Sequence, residues 1–210
     1  MEKLKRFLLI LIGIALMIPV MNSCKKGDED PSFSFYSRKH RLCQDWKFSY
    51  YKRIQQDNDT ITSWEFDGSS LRKLVGTQMY ISSAVMKITF KTDGSYVWDE
   101  NVATDTSTYT YYEEGSWYFT GGGKDSDTKY KELLALQTNK ATRTLQAGGI
   151  TTTDNYYSTG NVDATVYNII KLASDEVKLK SRLETNFIQI SPNQTDLKIL
   201  TVEITLKKSL

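Results

Sequence analysis

From Asp45 onward the chain alternates apolar and polar residues, in runs separated by Gly, Asp and Asn. A period of two belongs to a strand with one buried face, and no window of a dozen residues carries the helical period instead. In Asp45-Trp46-Lys47-Phe48-Ser49-Tyr50 the three rings share one face, and Lys47 and Ser49 share the other. Val85 to Lys91 repeats the scheme, with Met86, Ile88 and Phe90 opposite Lys87, Thr89 and Lys91. Thr92-Asp93-Gly94 then turns the chain into Ser95-Tyr96-Val97-Trp98. A two-residue turn would set Phe90 against Val97, whereas a three-residue turn sets Phe90 against Tyr96 and Ile88 against Trp98. Only the second register unites the apolar faces, so it predicts a type I turn with Gly94 in the left-handed position of a G1 bulge.

A further hairpin is expected from Thr108–Glu113 through Glu114-Gly115 into Ser116–Phe119, ended by Gly121-Gly122-Gly123. That glycine triplet lacks the Lys-Ser/Thr of a phosphate loop. Later strands are predicted at Tyr130–Gln137, Thr142–Gln146, Ala164–Leu172, Val177–Ser181 and Leu197–Lys207, with a weaker one at Ile61–Phe66. Two stretches are less regular: Asp67–Ala84, with a short helix expected near Leu71–Val75, and Ala147–Asp163, a polar loop longer than most connections. Nine or ten strands and no long helix make the class all-β.

The N-terminus follows another pattern. Lys3, Lys5 and Arg6 precede the uncharged run Phe7–Val20, which at fourteen residues is short of a transmembrane span and has the form of a secretory signal. Met21-Asn22-Ser23-Cys24 after it resembles the lipobox of bacterial lipoproteins, which implies acylation of Cys24. Lys25 follows where many inner-membrane lipoproteins carry Asp, and Lys26-Gly27-Asp28-Glu29-Asp30 resembles the export signal of Bacteroidetes surface lipoproteins. The resemblance implies an outer-membrane protein on the periplasmic or cell-surface face, anchored through acyl chains on Cys24. The expected organisation is a signal peptide over 1–23, a flexible tether over 24–44 and a folded domain over 45–210.

Charge and composition narrow the chemistry. Of 27 basic and 25 acidic residues, the signal holds Lys3, Lys5 and Arg6 against Glu2, leaving 24 of each. A balanced chain offers no general attraction to nucleic acid. The single histidine, His40, lies in the basic stretch Arg38-Lys39-His40-Arg41, expected as solvated tether, so histidine-dependent catalysis has little to stand on. Cys43 has no partner once Cys24 is acylated and is expected as a small buried hydrophobe. The pairs Asp99-Glu100 and Glu113-Glu114 point to opposite faces of a strand and are expected as turn and surface charges. Asp57-Asn58-Asp59 lacks the Gly and terminal Glu of a calcium loop. No enzyme, metal site or cofactor is therefore expected. Asp59-Thr60-Ile61 resembles the short O-glycosylation sequon of Bacteroidetes envelope proteins, with Thr60 as acceptor.

The order of the strand motifs resembles the lipocalin-like domains of Bacteroidetes lipoproteins. The features are Trp46 opening the first strand, Ile88-Thr89-Phe90-Lys91-Thr92-Asp93-Gly94-Ser95-Tyr96, Gly115-Ser116-Trp117, and Tyr167-Asn168-Ile169-Ile170-Lys171-Leu172. The resemblance covers roughly residues 45 to 207 and departs from the family in the two enlarged segments before Val85 and after Ala147. It implies an antiparallel up-and-down β-barrel of about eight to ten strands, the alternative being a β-sandwich. Trp46, Phe48, Ile88, Phe90, Trp98, Trp117, Phe119, Tyr167 and Ile169 are the candidates to line it, either as a filled core or around a small apolar ligand. A second reading is a surface module that offers Tyr109, Tyr111, Tyr112, Tyr118, Tyr156 and Tyr157 to a glycan or a protein.

Overall fold

The computed structural model describes residues 27–31, 34, 36–58, 60–121, 132–158, 164–187 and 196–209. The signal segment, Cys24, Asp59 and Gly122-Gly123 lie outside them. Among the described residues, one short helix, α1 (Arg38–Leu42), precedes eleven strands. They are β1 (Asp45–Asp57), β2 (Thr60–Phe66), β3 (Ser70–Val75), β4 (Gln78–Phe90), β5 (Ser95–Ala103), β6 (Ser107–Gly121), β7 (Glu132–Ala147), β8 (Ile150–Tyr157), β9 (Ala164–Leu172), β10 (Glu176–Phe187) and β11 (Asp196–Lys208). All pairings are antiparallel, and β6 joins β7 to close a ten-strand barrel in which β9 follows β7 and β8 hangs on β7 as an eleventh strand. The up-and-down barrel is thus the architecture, and a sandwich is not.

The Thr92-Asp93-Gly94 turn has the expected form. Phe90 pairs with Tyr96 and Ile88 with Trp98, Gly94 N–H donates to Lys91, and Gly94 has φ 90°. Four other expectations are corrected. Glu114-Gly115 is no hairpin turn: β6 runs straight through it, with a bulge. Leu71–Val75 belongs to strand β3, because its ladder to β2 and β4 outweighs the helical look of one turn of sequence. The Ala147–Asp163 loop instead holds Gly148-Gly149 as a tight turn, followed by β8. Residues 132–147 form a single strand where two were expected.

The barrel changes width along its axis. At one end Asp45, Trp46 and Lys47 of β1 pair directly with β4, so the wall there has eight strands. From Tyr51 onward β1 pairs with β2 instead, and the β2–β3 hairpin wedges between β1 and β4. An interior bounded by eight strands is just wide enough for side chains to fill, and added strands widen it. The narrow end is packed accordingly: Trp46, Phe90, Leu134, Leu172, Val177 and Leu206 are almost wholly buried. Trp117 stands edge-on to Phe90 at 6.0 Å.

The fold begins upstream of the expected boundary at 45, and the 24–44 span is not all tether. Leu42 is buried in the core, and its carbonyl accepts the Trp46 indole N–H at 2.8 Å. Two of the four basic residues of the 38–41 stretch are clamps. Arg41 donates to the Leu172 carbonyl, and Arg38 pairs with Asp30 and Glu132. Asp30 also accepts from the Leu172 N–H at 2.5 Å and the Gly27 N–H at 3.0 Å. The described residues between 27 and 44 therefore cap the narrow end. Asp30→Ala would leave the Arg38 cation and the Leu172 N–H short of an acceptor, a loss of about 1–2 kcal/mol in urea unfolding. Faster amide exchange at Leu172 would locate the effect, and unchanged exchange there would contradict it.

Candidate functional site

The wide half of the barrel holds a cavity of about 620 Å³ that opens to solvent. Bulges set which side chains reach it. A register shift between Phe48 and Tyr50 turns the inward face of β1 from Trp46 and Phe48 to Tyr51, Arg53 and Gln55. The expected inward ring at Tyr50 is thereby replaced by Tyr51, in edge contact with Trp98 at 6.2 Å. The apolar floor is Met86, Trp98, Leu136, Tyr167 and Val202, all at or close to full burial.

Above that floor the wall is polar and charged. Arg53, Lys73, Glu100, Glu113 and Arg143 all face the cavity, together with Tyr109 and Tyr111. Glu113 accepts hydroxyls from Tyr96 and Tyr111, and Thr138 adds a third at 2.9 Å. Glu100 accepts the Trp98 indole N–H at 2.8 Å. The cations rest on rings. The Arg53 guanidinium lies 5.0 Å over Trp64, Lys73 Nζ lies 5.7 Å over the same ring, and Arg143 lies 5.7 Å over Tyr111. Such contacts stabilise a charge while leaving its N–H donors open.

Removal from water dominates the titration of these groups. It lifts the Glu100 carboxyl to about 7; the nearby Glu113 charge adds to this, and the Trp98 N–H, Arg53 and Arg143 oppose it. It pushes the Tyr51 phenol up to about 12. Tyr96 and Tyr111 are raised further, first by burial and then by the Glu113 charge. All these phenols stay neutral donors at physiological pH.

The nine residues proposed as barrel lining all lie on the inner face, but the structure divides them. Trp98 and Tyr167 line the cavity, whereas Trp46, Phe48, Ile88, Phe90, Trp117 and Ile169 belong to the packed core and Phe119 packs against it, partly buried. Cys43, at the end of α1, is partly buried against that core, and burial raises its thiol pKa. Thr60 is exposed at the start of β2, facing Asp57 across the turn. Of the six tyrosines proposed for the surface, Tyr112, Tyr118, Tyr156 and Tyr157 are exposed, but Tyr109 and Tyr111 point inward. Asp99-Glu100 and Glu113-Glu114 do split between faces, yet Glu100 and Glu113 are not surface charges: they face one cavity from neighbouring strands, Glu100 paired with Tyr111 and Glu113 with Trp98. A signal for this was present in Tyr96-Val97-Trp98-Asp99-Glu100, where the inward period of two continues onto the glutamate.

The charged interior was the part missed from sequence, and it gives the cavity its chemistry. A ligand there would find rings and methyl groups below and open cationic donors above. No family model, curated protein or solved structure matches the chain.

Proposed function

We propose that the protein is a lipocalin-like envelope lipoprotein whose barrel binds a small, largely apolar ligand without chemically altering it. The observation that carries this reading is the cavity of about 620 Å³, walled by aromatic rings and a few convergent polar groups. Small-molecule sites are of roughly this size, about 300–1,000 Å³. The alternative of a surface module for glycan or protein assumes a filled barrel, which the cavity disfavours. Anchoring rests on the Ser23-Cys24 motif, with acyl chains on Cys24 holding the chain in the outer membrane.

Native mass spectrometry of protein purified from its host tests the binding. A small molecule should co-purify with the wild type and be lost from Leu200→Trp, in which a larger ring enters the cavity from a partly buried position on its wall. A ligand-free wild type, or equal retention by a folded Leu200→Trp variant, would overturn the reading. Cys24→Ala should release the protein from the membrane pellet on fractionation.

A further inference from the structure

On the reading of the cavity as a ligand site, we propose that the ligand carries a single carboxylate, which docks between Arg53 and Arg143 while its apolar body lies against Trp98 and Tyr167. Arg53, Lys73 and Arg143 come from three different strands and face one cavity. Among the described residues, no carboxylate oxygen forms a salt bridge with any of the three. Arg53 Nη2 donates to Gln55 at 3.0 Å, but its Nε is enclosed with no hydrogen-bond partner. An enclosed cation donor without an acceptor is costly, and an incoming anion would remove that cost.

The two inward glutamates do not fill this role. Both oxygens of Glu113 are occupied by hydroxyl donors. Glu100 is held by the Trp98 indole and is only partly ionised at neutral pH. Three cations against two carboxyls leave one positive charge when both carboxyls are ionised, matching a monoanion. Arg53 and Arg143 act electrostatically on the same two groups, Glu100 and Tyr109, which places them in one neighbourhood. Planar guanidinium forks suit a carboxylate better than a point charge does.

A matched series tests this by calorimetry on the full chain at pH 7.5: 6-phenylhexanoate, its neutral amide, and 6-phenylhexylamine. The acid should bind roughly tenfold more tightly than the amide, and the amine most weakly. Arg53→Gln and Arg143→Gln should each cost the acid roughly tenfold and leave the amide within about twofold. Lys180→Gln, which removes a surface ion pair with Glu203, should change neither. If amide and acid bind equally, or if the acid binds both arginine variants as it binds the wild type, the carboxylate proposal fails and the ligand site stands. If none of the three binds, the carboxylate proposal fails, and the ligand-site reading fails with it only if the wild type is also purified ligand-free.

Discussion

Gly115→Ala is expected to destabilise the barrel by about 3 kcal/mol, or to prevent folding, although it adds only one methyl group. Gly115 lies at the β6 bulge, pairing with Tyr96 on one side and Thr138 on the other. A methyl there would overlap the Gln137 carbonyl oxygen and come within 2.7 Å of the Tyr96 ring. The carbonyl is held in the β6–β7 ladder, and Tyr96 is wholly buried with its hydroxyl on Glu113. Neither can yield without breaking the network beneath the cavity. Gly148→Ala is the matched control, because Gly148 has φ 56° but nothing within 4 Å of an added methyl. Only the left-handed backbone penalty applies there, about 1–2 kcal/mol. Urea midpoints that fall equally in the two variants would contradict the close-approach argument.

The second large effect concerns Glu100. Its carboxyl pKa rises on folding from 4.5 to about 7, so between these values the folded chain holds a proton that the unfolded chain has lost. Stability contributed by this site is therefore full below pH 4.5, declines as pH rises, and is lost above about 7. A gap of this size corresponds to about 3 kcal/mol as an upper figure. Glu100→Gln should accordingly match the wild type near pH 4.5 and exceed it by about 2–3 kcal/mol at pH 8. The groups facing Glu100 are Trp98, Glu113, Arg53 and Arg143, with Tyr51, Tyr109 and Tyr111 also in electrostatic reach and all three phenols raised first by burial. The arginines stay charged throughout this window, and burial keeps Tyr109 protonated. Chemical denaturation across pH 4.5–8 checks the result, and parallel curves for the two proteins would refute it. On the carboxylate proposal the same ionisation weakens acid binding as pH rises through 7, and the Gln variant should lack that dependence.

How much of this was legible in the sequence depends on how strongly each residue's surroundings constrain it. The Phe90–Tyr96 register could be read because one face of the pair is fully buried and the other is polar. Strand β8 could not, since every residue from Ile150 to Tyr157 is exposed and no buried face imprints a period. The Glu-Gly pair at 114–115 carries the chemistry of a turn, and only the crowding by β7 explains why glycine is required within a strand. The expectation that the pairs holding Glu100 and Glu113 are turn and surface charges agrees with the rule that charge avoids a packed core. That inference holds for the narrow end of the barrel. It fails in the wide half, where the β2–β3 hairpin adds strands and the interior keeps space for polar groups. The two segments before Val85 and after Ala147 supply β2, β3 and β8.

The cap at the narrow end also sets a direction. Gly27 lies against the Ile169 and Ile170 carbonyls, and Cys24 is three residues upstream, a reach of at most about 10 Å. An acyl anchor on Cys24 would hold the molecule by its packed end, like a cup on a short stem, with the opening turned away from the bilayer. Cargo would then arrive as single dissolved molecules from the aqueous side. Its supply would be governed by solubility in water and not by its concentration among the lipids of the supporting leaflet.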